Sequence, residues 1–530
     1  MSNPNSGQGA ADGKSPDSHR AIIKSTSVMS LGTLSSRVLG FLRDMILAHL
    51  LGTGFKADAF FVAQKIPNLF RDLVGEGAIN AAVVPVLAEY KQSHKPENFW
   101  NFVSVVLALA LIALSFITIL GVIFAPVLIR VIVPGFMAEP EKLQLTIQLT
   151  RLMFPYLVFI GLTAYAMGIL YTFRSFAVPA FSPCLLNIAV IASAVIASRT
   201  MEEPVFGLAL GVLAGGLLQL FVHIRPLKAT GLKFCWPRSL SHEGAVKIGR
   251  LLVPRLIGSG IYQLTVLLDN FCASLTAIVG TGGIAVIYYS NRIIQFPMGI
   301  FTVALASAML PSLSGLAHKK DMPSVKKMII FSLENIFFIM CPTTAILLLL
   351  AGPIIRVLFE RGAFDAHSTA ITSGTLAFYA VGMFSFSGIK ILVTAFHSLQ
   401  DTRTPVIVAG ACLLLNATLN FILMVPLKVG GIALATSIAA TVDFLILFYI
   451  LNRRFNGFGG GLLAYFGKVV VVSLIVAGWE YWAWTKAAFG PEWVKLILVG
   501  SSGFALYFML CLLVKVEQAV NIWKWISRRT

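Results

Sequence analysis

The sequence predicts an all-α integral membrane protein with about 14 transmembrane helices, and three observations support this fold class. Apolar residues make up 57% of the chain and charged residues 12%, whereas soluble domains are nearer half apolar and a quarter charged. The mean hydropathy is +0.84. Runs of about 20 apolar residues, the length that crosses the hydrocarbon core of a bilayer, recur along the whole chain.

The first 21 residues are predicted to be a disordered cytoplasmic tail. They are polar and rich in Gly, Ser, Pro and Asn, and such a composition cannot bury enough apolar surface to fold. No short apolar segment with a small-residue cleavage site follows them, so we expect no signal peptide.

Fourteen hydrophobic segments follow this tail, and each is long enough to be read as one membrane span. They lie near residues 26–50, 57–89, 100–131, 148–172, 178–198, 205–224, 249–278, 284–316, 328–355, 369–397, 404–426, 430–451, 462–484 and 493–514. Several exceed the minimum length, which a tilted or kinked helix accommodates.

The basic residues predict the orientation of these spans. Lys and Arg are concentrated in the loops that face the cytoplasm if the amino terminus lies inside, and the loop at 227–248 with its borders is the richest. We therefore expect a multi-pass protein with both termini in the cytoplasm. The same placement accounts for the net charge of +18 without a nucleic-acid partner.

The two halves of the chain resemble each other. Residues 78–87 (AINAAVVPVL) match residues 304–313 (ALASAMLPSL), and the same spacing separates Pro179 from Pro405. A repeated unit of six helices has an even number of spans, so both copies keep the same orientation about an axis along the membrane normal. The predicted organisation is the tail 1–21, a six-helix lobe at 22–226, a basic cytoplasmic loop at 227–248, a second six-helix lobe at 249–454, and two extra helices with a cytoplasmic tail at 455–530.

Ionisable residues lie inside the first span and in the second lobe. Arg37, Gly40 and Asp44 share one helical face, Arg43 borders it, and Arg292 lies in the eighth span. An ionisable group at the bilayer centre costs roughly 2.5–3.5 kcal/mol on insertion scales. One interpretation is a cationic cavity for a diphosphate, because a guanidinium offers two parallel donors to phosphate oxygens. The alternative is a set of structural ion pairs inside the bundle.

The second span carries a similar set. Asp58, Lys65, Asp72 and Glu76 follow one stripe of the helix, and Arg71 lies off it. A proline and two glycines interrupt this span, which is typical of a helix that lines a cavity or bends during transport.

Seven short motifs occur in a consistent order between about residues 25 and 515. They are 36–44 (SRVLGFLRD), 57–61 (ADAFF), 65–78 (KIPNLFRDLVGEGA), 84–90 (VPVLAEY), 288–297 (YYSNRIIQFP), 358–364 (LFERGAF) and 395–405 (AFHSLQDTRTP). With these motifs the chain resembles the MurJ (MviN) family of lipid II flippases, in the multidrug/oligosaccharidyl-lipid/polysaccharide exporter superfamily.

The resemblance implies a monomeric transporter of the bacterial inner membrane with no catalytic residues. Its expected substrate is lipid II, the undecaprenyl-diphosphate-linked peptidoglycan precursor used in cell wall biogenesis. Alternating access would move it from the cytoplasmic to the periplasmic leaflet, and spans 13 and 14 would form a groove for its lipid tail. The implied substrate-binding residues are Arg37, Arg43, Asp58, Arg71, Glu76 and Arg292.

Some members of that family bind Na⁺ between spans 7, 11 and 12. The matching residues are Asp269, Asn416, Asn420 and Thr436, whose hard oxygen atoms suit a small cation. The alternative is that the asparagines only form hydrogen bonds across the bundle. No other cofactor is expected, and Na⁺ or the membrane potential would supply the driving force.

The sequence also bears on three other classes of protein: a related exporter, a membrane enzyme and an ATP-driven pump. A related exporter of drugs or of another polyprenyl-linked unit would share the fold but is not expected to carry arginine-rich first spans. An enzyme would show a cluster of catalytic His, Asp or Glu at a surface loop, and an ATP-driven pump a G-x-x-x-x-G-K-[ST] motif; the sequence contains neither. The turn at 361–365 (RGAFD) is expected to be a solvated cap in an outer loop.

Overall fold

The computed structural model describes residues 16–71, 82–232, 236–237, 239–486 and 490–527, and no β-strand occurs in these ranges. The helices are α1 (Pro16–Leu51), α2 (Phe55–Arg71), α3 (Val84–Ser93), α4 (Pro96–Ile132), α5 (Pro140–Met153), α6 (Tyr156–Thr172), α7 (Ala177–Thr200), α8 (Pro204–Ala229), α9 (Glu243–Ala273), α10 (Thr276–Val279), α11 (Gly283–Pro297), α12 (Val303–His318), α13 (Met322–Leu349), α14 (Ala351–Phe359), α15 (Ala366–Ser398), α16 (Arg403–Leu427), α17 (Val429–Arg454), α18 (Gly461–Lys486), α19 (Glu492–Leu513) and α20 (Glu517–Ser527).

The predicted membrane segments coincide with helices throughout the described ranges. By length and apolar composition, eleven helical segments among the described residues can cross a membrane, which makes the chain a multi-span membrane protein. The first, second and seventh predicted segments, on α1, α2–α3 and α9, are not among those eleven. In the first of these, Arg37, Arg43 and Asp44 interrupt the apolar run. The second and seventh include residues that the structure does not describe in full.

The described part of the chain begins with a helix inside the segment predicted to be a tail. α1 begins at Pro16, so residues 16–21 are helical, and residues 1–15 lie outside the described ranges. Pro16 occupies the first helical position, where its fixed φ suits a helix and its missing N–H costs nothing.

The eighth predicted span is a broken helix. α11 ends at Pro297, the segment Met298–Thr302 forms a π-helical turn, and α12 continues from Val303. Proline lacks the N–H that an α-helix needs at an interior position, and single π-helical turns frequently occur at functional sites. The break lies beside α1, because the Arg37 side chain contacts Gly299.

Candidate functional site

A buried carboxylate on α1 organises the ionisable residues of the first span. Asp44 is 0% exposed, and its Oδ1 accepts hydrogen bonds from Arg43 Nε at 2.9 Å and from Arg43 Nη2 at 2.6 Å. The hydroxyl of Tyr288 on α11 donates to the same oxygen at 2.9 Å. Arg292, also on α11, forms an ion pair with Asp44 Oδ2 through its Nε. One carboxylate therefore joins α1 to α11; we call Arg37, Arg43, Asp44, Tyr288 and Arg292 the arginine cluster.

Arg43 is almost saturated by protein groups. Its Nη1 donates to Asn187 Oδ1 at 3.2 Å and its Nη2 to the Tyr288 hydroxyl at 3.0 Å, in addition to its two bonds to Asp44. These four bonds use four of the five N–H groups of a guanidinium. Asn187 is itself held by a bond from its Nδ2 to the Ser36 carbonyl at 3.0 Å. The contacts of Arg43 thus match the structural ion pair that the sequence left open as an alternative.

Arg37 and Arg292 are more accessible than Arg43. The Arg292 side chain is 28% exposed, and since its Nε faces Asp44, its terminal nitrogens lie beyond the ion pair, next to Gly40. Arg37 is half-buried, and its guanidinium lies against Gly299 in the π-helical turn. Arg37 and Arg292, which come from different halves of the chain, therefore each lie against a glycine of the other half.

The other predicted substrate residues, Arg71, Glu76 and Asp58, are not part of the arginine cluster. Arg71 is half-buried at the last position of α2, and Glu76 lies outside the described residues. Asp58 is 0% exposed and pairs with Lys142 of α5, which is 1% exposed, at 2.8 Å between Lys142 Nζ and Asp58 Oδ2.

Asp58 also caps α11. Its Oδ2 accepts from the backbone N–H of Gly282 at 3.1 Å and its Oδ1 from that of Ala285 at 2.9 Å. Negative charge is favourable at a helix amino terminus, where backbone N–H groups have no partner within the helix. Asp58, Lys142, Gly282 and Ala285, which we call the Asp58 cluster, thus connect α2 and α5 to α11.

The turn at 361–365 is a solvated cap, as predicted: four of its five residues are exposed, and Asp365 caps α15 by accepting a hydrogen bond from the Ser368 N–H at 2.8 Å. The turn also packs against the end of α1 through its one buried residue. Phe364 is 1% exposed, and the Ala363 N–H donates to the His49 carbonyl at 2.8 Å. Gly362 has φ +60°, and a Cβ there would collide with His49, so glycine permits the close approach. Beside this contact, the hydroxyls of Thr53 and Ser368 are 2.7 Å apart.

The predicted cation ligands are in contact with one another. Asp269 Oδ1 accepts from Asn420 Nδ2 at 3.0 Å, and Asp269 Oδ2 accepts from the Thr436 hydroxyl at 3.2 Å. Asn416 Nδ2 donates to Thr436 Oγ1 at 3.1 Å. The Oδ1 atom of Asn420 is buried with no hydrogen-bond partner, so these residues retain an unused oxygen that fits a cation. Hydrogen bonding across the bundle, the alternative interpretation, is also observed here.

The side chains of Lys142, Tyr288 and Asn187 contact predicted site residues but were not singled out from the sequence. Lys142 lies just outside a hydrophobic segment and was therefore assigned to a loop, although its charge is buried with Asp58. Tyr288 lies within a recognised motif, and Asn187 lies on an apolar helix that carries no charge near it. The signal that could have identified Tyr288 is its position four residues before Arg292, on the same helical face.

Comparison with known proteins identifies related chains along nearly the whole length. A family model described as lipid II flippase MurJ matches residues 47–502. The lipid II flippase MurJ of Burkholderia cenocepacia is 35% identical over 463 residues, which are 85% of this chain and 88% of that protein.

Solved structures of two kinds of transporter are similar to this chain. The structure of a lipid II flippase MurJ in an inward closed conformation superposes with a TM-score of 0.79 at 26% identity, covering 92% of this chain and 98% of that one. A multidrug resistance MATE family transporter of the MOP superfamily, in an inward-facing conformation, gives a TM-score of 0.69 at 16% identity and covers 79% of this chain and 94% of that one. The second likeness concerns the fold alone.

Proposed function

The chain belongs to the MurJ family of lipid II flippases, and we propose that Arg37 and Arg292 hold the diphosphate of lipid II between the two halves of the bundle. The protein is a transporter rather than an enzyme, and its function is to move lipid II across the bacterial inner membrane for peptidoglycan synthesis. The observation that carries the proposed mechanism is that Arg37 of α1 and Arg292 of α11 each lie against a glycine of the opposite half of the chain, and that the buried carboxylate of Asp44 holds Arg292.

The chemistry of the arginine cluster suits a diphosphate. A guanidinium offers parallel N–H donors that match two phosphate oxygens, and two such groups match the two phosphates. Asp44 binds Arg292 through Nε, so it fixes the side chain and leaves the terminal nitrogens for substrate. Arg43 in turn keeps the charge of Asp44 compensated. Arg71 and Glu76 complete the set of residues that we assign to substrate.

Alternating access would then work through two six-helix lobes, 22–226 and 249–454, with α18 and α19 as the two extra helices. In support, α7 packs on α1 and α8 and α2 packs on α5 within the first lobe, and α15 packs on α13 and α17 within the second. The Asp58 cluster and the turn at 361–365 join the lobes on one side of the membrane. A single chain supplies both lobes, so the mechanism requires no partner chain.

We place that side in the periplasm, with both termini in the cytoplasm and 14 spans in all. Cysteines introduced at Glu202 and Thr281, both exposed, are expected to react with a membrane-impermeant maleimide in intact cells. A cysteine at Lys320, also exposed, is expected to react only after the cells are permeabilised. Labelling of the Lys320 site in intact cells would contradict this orientation.

We also propose that Asp269, Asn416, Asn420 and Thr436 hold Na⁺, which would link transport to the sodium gradient. The cation would compensate the buried charge of Asp269 and draw together α9, α16 and α17, which carry these residues. Asp269→Ala is expected to remove any rise in melting temperature that NaCl gives over choline chloride, and Asn420→Asp to increase it. If the unmodified protein shows no difference between the two salts, the membrane potential is the better candidate for the driving force.

The test of function is complementation of a strain depleted of its own lipid II flippase. Expression of this chain is expected to restore growth and to lower the amount of lipid II that accumulates in the inner leaflet. Failure to restore growth at a normal protein level would contradict the function. Clearance of a different polyprenyl-linked unit in place of lipid II would favour a related exporter.

A further inference from the structure

Two glycines lie directly beneath the accessible arginines, and each belongs to the opposite lobe from its arginine. Gly40 on α1 lies under the terminal Nη2 of Arg292, which comes from α11. Gly299, in the π-helical turn between α11 and α12, lies under the Nη1 and Cζ of Arg37, which comes from α1. The arrangement is reciprocal, since each lobe contributes one arginine and one glycine.

A side chain at either glycine would occupy space that a guanidinium now fills. A Cβ built on Gly299 overlaps Arg37 Nη1, and a Cβ built on Gly40 overlaps Arg292 Nη2. The three atoms nearest to the built Cβ of Gly299 all belong to the Arg37 guanidinium, and none is backbone. The end of a long side chain can move, so alanine at these positions displaces the arginine and leaves the helices in place.

We propose that Gly40 and Gly299 are positioning residues, each of which keeps open the place where an arginine from the opposite lobe lies ready for the diphosphate. This inference rests on the proposed function of Arg37 and Arg292. It adds that the arginines are aligned across the interface between the lobes by the absence of a side chain beneath them. A shift of about 1 Å in a charged donor is enough to lose a bidentate contact with a phosphate.

The fold itself is not expected to suffer from these substitutions. Alanine is a better helix former than glycine by about 1 kcal/mol in a helix interior. Gly315 on α12 and Gly410 on α16 are matched controls, because a Cβ built on either has no neighbouring atom within 4 Å. Alanine at a control position changes helix propensity in the same way without touching an arginine.

The experiment measures binding of lipid II to the purified full-length protein, with its melting temperature recorded for each variant. Gly299→Ala and Gly40→Ala are each expected to bind lipid II about tenfold more weakly at an unchanged or higher melting temperature. Gly315→Ala and Gly410→Ala are expected to bind as the unmodified protein does. In an Arg37→Ala background, Gly299→Ala is expected to cause no further loss, because its effect acts through Arg37.

Each outcome bears on one of the two proposals. Normal binding by Arg37→Ala and Arg292→Ala would overturn the proposed function itself. Weak binding by those variants together with normal binding by Gly40→Ala and Gly299→Ala would overturn only the positioning role. An equal loss from Gly299→Ala with and without Arg37 would also overturn it, because the substitution would then act through the π-helical turn.

Discussion

Replacing Arg292 with alanine is expected to abolish growth of a strain that depends on this protein, while the protein keeps its normal level in the membrane. Arg292 is 28% exposed and makes its ion pair with Asp44 through Nε. Its loss leaves the buried carboxylate with Arg43 and Tyr288, so the bundle keeps a charge partner for Asp44. The loss of a charge-assisted contact to the diphosphate should cost on the order of 1.5–3 kcal/mol, about a tenfold to hundredfold loss in affinity.

Arg37→Ala is expected to behave in the same way, whereas Arg43→Ala should differ. Arg43 is 9% exposed and holds Asp44 with two hydrogen bonds, so removing it takes away the main partner of a buried charge. We expect that variant to lower the amount of folded protein as well as growth. Lysine at position 292 keeps the charge but loses the fork of donors, so Arg292→Lys should restore growth only partly.

The measurement is growth after depletion, together with the membrane level of each variant by quantitative immunoblotting. Normal growth from well-expressed Arg37→Ala and Arg292→Ala would contradict the proposed diphosphate site. A fall in protein level that matches the fall in growth for both variants would assign them a structural role instead.

The sequence predicted the helical class and the positions of the membrane segments because both depend on local composition. Apolar runs of sufficient length must be helical in a bilayer, where each backbone polar group needs a partner within the segment. The first span was recognisable although Arg37, Arg43 and Asp44 interrupt its apolar run, because the run is long on either side of them. Residues 16–21 are helical although their composition is polar, and Pro16 suits the first position of a helix.

The site was predictable as a set of charges but not as a set of contacts. Helical spacing placed Arg37, Gly40 and Asp44 on one face, but it could not show that Asp44 would pair with Arg43 and Arg292. Residues far apart in sequence, such as Lys142 and Asp58, become partners only through packing of whole helices. The periodicity of a helix shows which of its own residues share a face. It does not show which other helix packs against that face.

Asp58→Ala is expected to destabilise the protein by about 3–5 kcal/mol, because it leaves the buried ammonium of Lys142 without its nearest carboxylate. The remaining acidic neighbour of Lys142 is Glu139, at 3.9 Å in a partly exposed position. The same change removes the acceptor of the Gly282 and Ala285 N–H groups at the start of α11. Thermal unfolding of the purified protein should therefore show a markedly lower melting temperature than that of the unmodified chain.

A double variant separates the stability of the Asp58 cluster from its role in joining the two proposed lobes. Asp58→Leu combined with Lys142→Met removes both buried charges and fills the space with apolar atoms, so it should recover most of the lost stability. It still lacks an acceptor for the N–H groups of α11, so the lobes should separate more readily on that side. A cysteine at Thr53, which faces Ser368 across the closed interface, should then be labelled from outside about tenfold faster. Equal labelling rates in the double variant and in the unmodified protein would show that Asp58 stabilises its own lobe and does not hold the lobes together.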